Sequence, residues 1–468
     1  MTTSRKYQLE DINRFSPLPY GALFLEPGLG KSHITIRICE NKPEIMTVFI
    51  FVPKSIINNW ALIEIPEHST QPYLVLPWFH GEPSKTYLRE FSRVVKDKSK
   101  RLYVILNHDA ATTIRFDPIF NGIMKMRGGK HAIVIDESTV IKSPKPEITK
   151  KFIKLRNTAA FRLILSGTPI TNSPLDVYTQ AEFLEPGLMG SKTYYSFKTR
   201  FAILQRITMG NRSFDQIKGY RDLDELRARI NRFASIRKLS DELDLPKRIF
   251  KPVYVDLTEE QYLAYVELKA QALTWIKKQH EITVVNALSL LNRLQQIVAG
   301  QMKLPDGTYI EIDSNRATSL KEQLDENEGK KAIIWTHFKK TAIMIERALP
   351  GNVIAVRSAM TPIERHKAIE RWRKGEEQSL LMNPMSAAHG LTLNEATIQA
   401  WFDRTYSIET RLQGLARNYR IGQDKRTLVL DFLSLGTIEE KVLNRLNEME
   451  ETAKIVVSKE DLLDMLGE

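Results

Sequence analysis

Cysteine is almost absent from this sequence, since Cys39 is the single one among 468 residues. An internal disulfide bond is therefore impossible, and no group of cysteine and histidine residues has the spacing of a zinc site. This composition is typical of a protein that works in a reducing compartment.

Long apolar runs are missing as well. No run approaches the roughly 18 residues of a membrane-spanning helix, and the N-terminal segment MTTSRKYQLE has no apolar core of the kind that a signal peptide carries. Internal repeats and low-complexity tails are also absent. We therefore expect a cytoplasmic protein without a membrane partner, in the host cytoplasm if it is viral and in the nucleus if it is eukaryotic.

The remaining composition is that of a folded protein with a basic surface. Hydrophobic residues make up 42% and charged residues 26% of the chain, as in ordinary globular proteins, and its length predicts two or three domains. Lysine and arginine (68) exceed aspartate and glutamate (56), which gives a net charge of +12. Such an excess favours a polyanionic partner, although a merely soluble basic surface is the alternative.

Short apolar runs alternate with amphipathic stretches in two series, which predicts two α/β domains with parallel sheets. The runs of the first series are residues 22–25, 47–52, 102–106, 132–135 and 161–165. The runs of the second series are residues 331–336, 352–356, 379–382, 396–402 and 427–433. The early runs end where polar motifs begin, and ligands bind beyond the carboxyl ends of strands in open α/β sheets.

The segments between the two series differ from them in composition and in apolar spacing. Residues 186–220 are basic and aromatic, and residues 258–298 have the apolar spacing of long helices. We interpret both as insertions. The stretch YYSFKTRFAILQR is either a DNA-gripping insertion or an amphipathic helix. Five tryptophans on apolar-periodic segments are expected in the core rather than as base-stacking platforms: Trp60, Trp275, Trp335, Trp372 and Trp401.

The segment EPGLGKS follows an apolar strand and precedes a helical run. Gly28 and Gly30 let backbone amides converge on phosphate oxygens, Lys31 adds a cation, and Ser32 can bind magnesium at a helix N-terminus. The strict phosphate-loop pattern has glycine where this chain has Leu25. A purely structural glycine-rich turn is the alternative.

Two further strands end in polar motifs. The segment HAIVIDES places Asp136 and Glu137 at a strand end, where an unused carboxylate is costly. We expect Asp136 to share magnesium with Ser32 and Glu137 to orient the attacking water, with helix capping as the alternative. The segment RLILSGTPITN carries Ser166 and Thr168, which can link the carboxylates to a nucleic-acid side, unless the segment is an ordinary Thr-Pro turn.

Gln413, Arg417 and Arg420 are spaced by four and three residues, which predicts that they share one helix face. An arginine placed against the γ-phosphate stabilises the charge that develops in phosphoryl transfer. Together with the phosphate loop near the N-terminus, these residues predict a nucleotide held between two domains, so that hydrolysis drives domain motion. Solvated arginines on an exposed helix are the alternative.

The ordered motifs YQLEDINRF, EPGLGKS, FVPKSIINNW, VIDES, LSGTPITN, AIIWTHF, AAHGLTL and QGLARNYRIGQ resemble those of superfamily-two helicases of the Swi/Snf ATPase type. The resemblance covers residues 7–446 and implies an α/β fold of two RecA-like parallel-sheet domains in tandem. It implies an N-terminal ATP-binding domain of residues 1–250 with a helical and basic insertion at about 186–235. The implied C-terminal helicase domain has residues 251–468, with a helical insertion at about 258–320.

The resemblance also implies a role for each matching position. Adenine recognition falls to Gln8, and the two acidic residues serve magnesium and water. The triphosphate is bound by consecutive loop residues: Pro27, Gly28, Leu29, Gly30, Lys31 and Ser32. The trans-domain arginines are Arg417 and Arg420, with Gln413 beside them. Four positions fall in segments that face nucleic acid: Lys54, Asn107, Thr336 and His337.

Members of this family typically move along duplex DNA, without separating its strands, and displace or remodel bound proteins. We therefore expect an ATP-dependent double-stranded DNA translocase that uses ATP and Mg²⁺ and works as a monomer. A strand-separating DNA or RNA helicase is one alternative; a nucleotide-gated binding protein or kinase-like P-loop enzyme, indifferent to nucleic acid, is another. The short segments outside the motifs favour a nearly bare motor, bacterial or viral, or a subunit that takes its targeting from a partner protein.

The sequence departs from the family pattern at four positions. Thr139 stands where the family usually has histidine, Ala387 and Ala388 where it has glycine, and Thr392 where it has asparagine. We expect altered coupling, DNA contacts or stepping, and unchanged phosphate chemistry.

Overall fold

The structure, a computed structural model, describes residues 3–78, 85–167, 169–170, 173–209, 212–278, 284–304, 306–357, 359–387, 391–403 and 407–451. Its chain divides into two compact units, Met1–Asp244 and Leu245–Glu468. Within the described ranges, no helix is both long enough and apolar enough to span a membrane.

The first unit is built around a parallel sheet. Its described strands are β1 (Tyr20–Leu25), β2 (Ile45–Val52), β3 (Tyr73–Pro77), β4 (Arg101–Asn107), β5 (Lys130–Ile135), β6 (Phe161–Ser166), β7 (Ala202–Met209), β8 (Arg212–Tyr220) and β9 (Ala234–Arg237). Seven of them form one sheet in the order β3-β4-β2-β5-β6-β1-β9, and every pair in it is parallel. The other two, β7 and β8, pair with each other in antiparallel fashion.

Helices connect these strands and cover the sheet. In the described part of the unit they are α1 (Lys6–Phe15), α2 (Lys31–Glu40), α3 (Ile57–Asn59), α4 (Ile65–His68), α5 (Lys85–Lys96), α6 (Phe116–Arg127), α7 (Glu147–Arg156), α8 (Val177–Leu184), α9 (Tyr194–Phe201), α10 (Leu223–Phe233) and α11 (Leu239–Glu242). A π-helical turn, Trp60–Glu64, joins α3 to α4. Because helices cover such a sheet on both faces, its central strands are continuous apolar runs, as in IMTVFIFV of β2, seven of whose eight residues are buried.

The second unit repeats this plan. Its described strands are β10 (Arg248–Tyr254), β11 (Gln301–Lys303), β12 (Tyr309–Glu311), β13 (Lys331–Trp335), β14 (Val353–Val356), β15 (Ser379–Met382), β16 (Ala396–Trp401) and β17 (Thr427–Leu433). Its described helices are α12 (Glu259–Lys278), α13 (Val284–Val298), α14 (Arg316–Asp325), α15 (Lys339–Ala348), α16 (Pro362–Lys374), α17 (Pro384–Ala387), α18 (Ile408–Leu415) and α19 (Ile438–Glu451). A parallel sheet has the order β10-β17-β16-β13-β15-β14.

The predicted fold class is confirmed, because both units are parallel sheets with connecting helices, the RecA-like arrangement. All ten apolar runs form strands, and the run at 258–298 forms α12 and α13. The predicted domain boundary at residue 250 falls inside β10, a strand that pairs along its whole length with β17.

The basic aromatic stretch YYSFKTRFAILQR is not one amphipathic helix. Helix α9 ends at Phe201, and from Ala202 onward the chain pairs with β8, where Ala202 lies opposite Tyr220. The helical interpretation is therefore wrong for the second half of the stretch, because cross-strand pairing overrides the local apolar spacing. A contact of this stretch with DNA stays a prediction.

The tryptophans pack in the cores, as predicted. Trp335, Trp372 and Trp401 are fully buried in the second unit and Trp60 in the first. The side chain of Trp275 lies outside the described residues.

The imidazole of His131 in β5 couples the stability of the first unit to pH. The ring is buried against Phe49 and Phe120, and its Nε2 lies 3.2 Å from Thr158 Oγ1. Burial lowers the pKa of His131 from 6.5 to about 4. Between these two values the unfolded chain binds a proton that the folded chain does not. The stabilisation from His131 is therefore complete above pH 6.5, falls as the pH drops, and levels off below about pH 4.

We expect His131→Phe to remove this pH dependence, since phenylalanine fills the same space without titrating. Wild type should lose up to about 3 kcal/mol of unfolding free energy from this group between pH 6.5 and 4. The measurement is urea unfolding of the full chain at several pH values, followed by circular dichroism. An equal loss in wild type and variant would show that another group controls the acid sensitivity.

Candidate nucleotide site

Strand β1 leads through a glycine-rich loop directly into α2. Gly28 (φ 98°) and Gly30 (φ 77°) take left-handed conformations that glycine adopts without strain. A Cβ atom on Gly30 would lie 2.5 Å from Gln8 Nε2, so a side chain at position 30 would displace the Gln8 amide. Helix α2 begins after Gly30 without a side-chain cap. The first amides of such a helix, together with its dipole, attract anions such as phosphate.

Helix α1 places its polar residues against this loop. Gln8 Nε2 donates to the Leu29 carbonyl at 3.2 Å, and the Tyr7 hydroxyl donates to the same oxygen at 3.0 Å. Gln8 Oε1 accepts a bond from the Arg5 amide at 2.9 Å, which fixes the orientation of the side-chain amide. Burial raises the pKa of Tyr7 to about 12, so its hydroxyl keeps its proton. The residue predicted to recognise adenine thus lies beside the phosphate loop.

Lys31 and Ser32, at the start of α2, lie near backbone carbonyl and carboxylate groups. Lys31 Nζ donates to the Leu25 carbonyl at 2.8 Å, and its charge also acts on Asp136. Burial raises the pKa of Glu64, while the nearby Ser32 hydroxyl is among the groups that lower it. The predicted phosphate-binding cation and magnesium ligand therefore lie within reach of the acidic residues.

Asp136 follows β5 and is only 8% exposed. Burial raises the pKa of its carboxyl group, while the charge of Lys31 and a hydrogen bond from Trp60 act in the opposite direction. Asp136 Oδ2 accepts the Trp60 indole N–H at 2.9 Å, and Oδ1 accepts the Glu137 amide at 3.0 Å. The carboxylate is thus fixed in one orientation near the phosphate loop.

Glu137 has a left-handed backbone, with φ 50° and ψ 60°. For a residue other than glycine this conformation costs on the order of 1–3 kcal/mol, and it concentrates at functional sites. His108 holds the preceding peptide, because its Nε2 lies 2.7 Å from the Asp136 carbonyl. Burial lowers the pKa of His108 to about 4, so the ring is neutral near pH 7.

The turn after β6 packs on the phosphate loop. Ser166 is buried at the strand end, and a Cβ atom on Gly167 would lie 3.1 Å from Pro27 Cδ. Thr168 lies outside the described residues. The buried amide of Gln180, in α8, connects this turn to the acidic motif. It accepts a bond from Ser138 Oγ at 2.7 Å and donates to the Pro169 carbonyl at 2.8 Å.

The second unit brings Gln413, Arg417 and Arg420 together, but not on one helix face. Helix α18 ends at Leu415, before either arginine. Its last carbonyls accept side-chain bonds from Gln399 Nε2, at 3.3 Å for Gly414 and 3.1 Å for Leu415. The prediction of a shared helix face is therefore wrong, because the helix ends before Arg417 and Arg420.

Backbone bonds nevertheless keep the two arginines close to α18. Arg417 Nε donates to the Gln413 carbonyl, and Arg420 Nε donates to the Ala416 carbonyl, each at 2.9 Å. Arg417 is buried, with Nη1 3.1 Å from the Leu391 carbonyl. Arg420 is half-buried.

One of the four departures from the family pattern contacts these arginines directly. Thr392 Oγ1 accepts a bond from Arg420 Nη1 at 2.9 Å. Thr139 lies next to Ser138, which bonds Gln180. Ala387 ends α17, and Ala388 lies outside the described residues.

The four positions predicted to face nucleic acid differ in exposure. Lys54 is exposed and His337 is half-buried. Asn107 and Thr336 are buried, each 2% exposed, and Thr336 Oγ1 donates to Asp403 Oδ2 at 2.6 Å. Contacts of all four with nucleic acid stay predictions.

Sequence reasoning missed Glu64, His108 and Gln180 and took Trp60 for core packing alone. Trp60 is buried, but its indole also holds Asp136. The spacing of four between Trp60 and Glu64 is a signal that the sequence contains, since it places both on one side of a helix. Gln180 carries no comparable local signal.

The oxygen atoms of this site suit magnesium. Magnesium prefers one or two carboxylates together with phosphate oxygens and water. The Ser32 hydroxyl and the Asp136 carboxylate belong to that class of donor. The residues present therefore fit the ion that a nucleotide site of this kind requires.

Two families match the chain. The SNF2-related domain matches residues 18–302, more than half of the chain, and the helicase conserved C-terminal domain matches residues 315–422. The first match extends from the first unit into α12 and α13 of the second.

Several curated proteins are similar along nearly the whole chain. An uncharacterised ATP-dependent helicase of Mycoplasma genitalium is 26% identical over 96% of this chain and 42% of its own length. The RAD54-like DNA repair and recombination protein of Mus musculus is 24% identical over 93% of this chain and 62% of its own length. Human TATA-binding protein-associated factor 172 is 23% identical over 98% of this chain and 28% of its own length.

The chain thus spans about two fifths of the length of the Mycoplasma relative. Among solved structures, it is similar to the Sulfolobus solfataricus SWI2/SNF2 ATPase core in complex with dsDNA, with 25% identity, a TM-score of 0.42, and coverage of 100% of this chain and 95% of that one. From the two family matches, together with the phosphate loop and acidic motif at the carboxyl ends of a RecA-like sheet, we conclude that the chain belongs to the SNF2-related helicase family.

Proposed function

We propose that this chain is an ATP-dependent motor that moves along double-stranded DNA and remodels or displaces proteins bound there. The observation that carries the proposal is the convergence of three motifs in the first unit. The phosphate loop, the buried Asp136 and the end of β6 at Ser166 and Gly167 lie close together, and Glu137 is held in a strained backbone conformation.

The chemistry follows from the positions of these side chains. The α2 N-terminus and Lys31 bind the triphosphate, for which Lys31 exchanges its bond to the Leu25 carbonyl for a phosphate oxygen. Glu137 accepts a hydrogen bond from the attacking water and orients it. Magnesium, when bound at Ser32 and Asp136, neutralises charge on the phosphates. Gln8, beside the loop, contributes adenine recognition.

The two arginines of the second unit have different roles in this proposal. Arg417 is buried on the backbone of its own unit, which supports a role in shaping the segment around Leu391. Arg420 is half-buried and bonded to an exposed threonine, which supports a role as the arginine that meets the γ-phosphate. In this proposal hydrolysis changes the relation between the two units and so moves the DNA.

Duplex DNA as the partner is supported by charge and by relatives. The net charge of +12 favours a polyanion gripped through its phosphates. Relatives named as a DNA repair and recombination protein and as a TATA-binding protein-associated factor support DNA, and a protein bound to it, as targets.

The nucleic-acid dependence of ATP turnover tests the proposal. We expect duplex DNA to stimulate hydrolysis, and movement to displace a third strand from a triplex without separating the duplex. The assay compares duplex DNA, single strands and RNA, alongside strand displacement. Stimulation by RNA alone would refute a DNA motor, efficient strand separation would favour the helicase alternative, and turnover indifferent to nucleic acid would favour a nucleotide-gated binding protein.

The assigned roles of Lys31 and Arg420 make opposite predictions for nucleotide binding. We expect Lys31→Ala and Arg420→Ala each to lower DNA-stimulated hydrolysis about a thousandfold. Lys31→Ala should weaken nucleotide affinity, because the phosphates lose a cation, whereas Arg420→Ala should largely keep it. Fluorescent-nucleotide titrations separate the two effects. Arg426→Ala, at an exposed arginine outside the motif, is the control and should behave like wild type. Normal turnover in either test variant would contradict its role.

The Gln180 bridge predicts a selective loss of coupling. Gln180→Leu keeps the side-chain volume but breaks the connection between Ser138 and Pro169. We expect basal hydrolysis within about threefold of wild type and DNA stimulation reduced about tenfold, as for other supporting residues one contact away from a site.

Thr179→Val provides the matched control for the bridge. Thr179 precedes Gln180 on the same helix, is also buried, and its Oγ1 has no hydrogen-bond partner among the described residues. This variant should keep both rates. An equal loss of basal and stimulated rates in Gln180→Leu, or no loss at all, would show that the bridge does not carry coupling.

A further inference from the structure

The segment 391–395, directly before β16, holds the two arginines of the second unit, and we call it the arginine cradle. The Leu391 carbonyl accepts a bond from Arg417 Nη1 at 3.1 Å. Thr392 Oγ1 accepts a bond from Arg420 Nη1 at 2.9 Å. The position of the Arg420 guanidinium therefore depends in part on where the cradle places the Thr392 hydroxyl.

Further bonds tie the cradle to the chain around the arginines. The Leu393 amide donates to the Arg417 carbonyl at 2.9 Å. Asn394 Nδ2 donates to the Ile421 carbonyl at 2.9 Å, and the Asn394 carbonyl accepts a bond from Gln423 Nε2 at 3.0 Å. The cradle and the arginine segment are therefore one hydrogen-bonded piece, and a shift of the cradle would shift the arginines with it.

Arg373, in the last turn of α16, pins the cradle from another element. Its Nη2 donates to the Thr392 carbonyl at 2.8 Å, and its Nε lies 3.0 Å from Glu395 Oε1. Its Nη1 donates to Glu370 Oε1, on the same helix, at 2.8 Å. Because a guanidinium group is a planar fork of fixed geometry, this one side chain sets the positions of Thr392 and Glu395 together.

The exposure of Thr392 explains why such a pin matters. Thr392 lies at the surface, so core packing does not fix its backbone. Hydrogen bonds fix it instead, from Arg373 at its own carbonyl and from the Leu393 amide at the next residue. An arginine that stabilises developing charge must be placed accurately, since a displacement of about 1 Å can cost on the order of a hundredfold in rate.

We propose that Arg373 is a positioning residue for Arg420: it fixes the backbone of Thr392, and through the hydroxyl of that residue it sets the orientation in which Arg420 meets the γ-phosphate. This inference rests on the proposed function and deepens it. Arg373 acts through Thr392 and has no contact with the nucleotide in this proposal. The last turn of α16, which lies outside the ordered motifs of the sequence, thereby supports hydrolysis.

The test separates turnover from nucleotide binding. We expect Arg373→Ala to lower the kcat of DNA-stimulated hydrolysis about tenfold and to leave the KM for ATP within about twofold of wild type. Arg373→Lys should recover part of the loss, to about threefold below wild type, because an ammonium group lacks the fork that bonds both acceptors. The measurement is steady-state ATP turnover at saturating duplex DNA. Wild-type kcat in Arg373→Ala would overturn the positioning role.

Arg371→Ala is the matched control. Arg371 lies in the same helical turn and also makes two ion pairs, at 2.7 Å with Glu376 and at 2.6 Å with Glu377, but both partners lie outside the cradle. This variant should keep the kcat and the KM of wild type. An equal fall of kcat in Arg371→Ala and Arg373→Ala would show that any loss of ion pairs at the end of α16 slows turnover, and would overturn the inference.

A double-mutant cycle tests the route through Thr392. Thr392→Val keeps the backbone carbonyl and a branched side chain but removes the hydroxyl that holds Arg420, so we expect a fall in kcat of about tenfold. Because both changes break the same chain of contacts, the double variant with Arg373→Ala should also lose about tenfold. A loss of about a hundredfold in the double variant would mean that the two residues act independently, against the proposed route.

The proposed function fails in a different way. Wild-type hydrolysis that is indifferent to nucleic acid, or normal turnover in Arg420→Ala, would remove the role that Arg373 serves. A deficient Arg420→Ala variant beside a fully active Arg373→Ala variant would leave the proposed function intact and overturn only the positioning role.

Discussion

The candidate site depends on one carboxylate, that of Asp136, whose charged form is opposed by burial. Asp136 lies at the end of a strand inside a sheet, and its burial raises its pKa. The positive charge of Lys31, the Trp60 indole and the Glu137 amide act against that rise. These groups come from three different segments of the first unit, so the order of the strands has to be correct before the charge can be held. Glu137, whose amide donates to Asp136 Oδ1, itself has a left-handed backbone.

Most of the fold could be read from the sequence, for a physical reason. Strands buried on both faces must be apolar along their length, and the run in β2 or β13 is therefore visible without any knowledge of its neighbours. The motifs are visible for the same reason, since glycine at position 30 or a carboxylate at position 136 departs abruptly from the apolar strand before it. What is local in the chain was predictable: each strand, its end, and the polar residues that follow.

The contacts that join distant segments could not be read in this way. The spacing of Gln413, Arg417 and Arg420 predicted a helix, but the helix ends at Leu415, where Gln399 of another strand bonds its last carbonyls. Gln180 joins two motifs from a helix that contains neither. Glu64 lies near Ser32 and ends a π turn that local spacing did not predict. Each of these side chains is polar and at least half-buried, but the sequence around it does not reveal what it will meet. Trp60 shows the same limit, since its burial was predictable and its bond to Asp136 was not.

Two departures from the family pattern, Thr139 and Thr392, lie beside or in contacts between segments and leave the phosphate-binding side chains untouched. Thr139 follows Ser138, whose hydroxyl bonds the bridging amide of Gln180. Thr392 bonds the guanidinium of Arg420. Neither residue lies in the phosphate loop or in the Asp136 and Glu137 pair. Changes at such positions alter how one motif responds to another, because a hydroxyl differs from imidazole or carboxamide in reach and in the number of bonds it can make. In the proposed function, the chain combines phosphate-binding residues of the family type with its own set of connections between motifs, and those connections would determine how hydrolysis is coupled to movement.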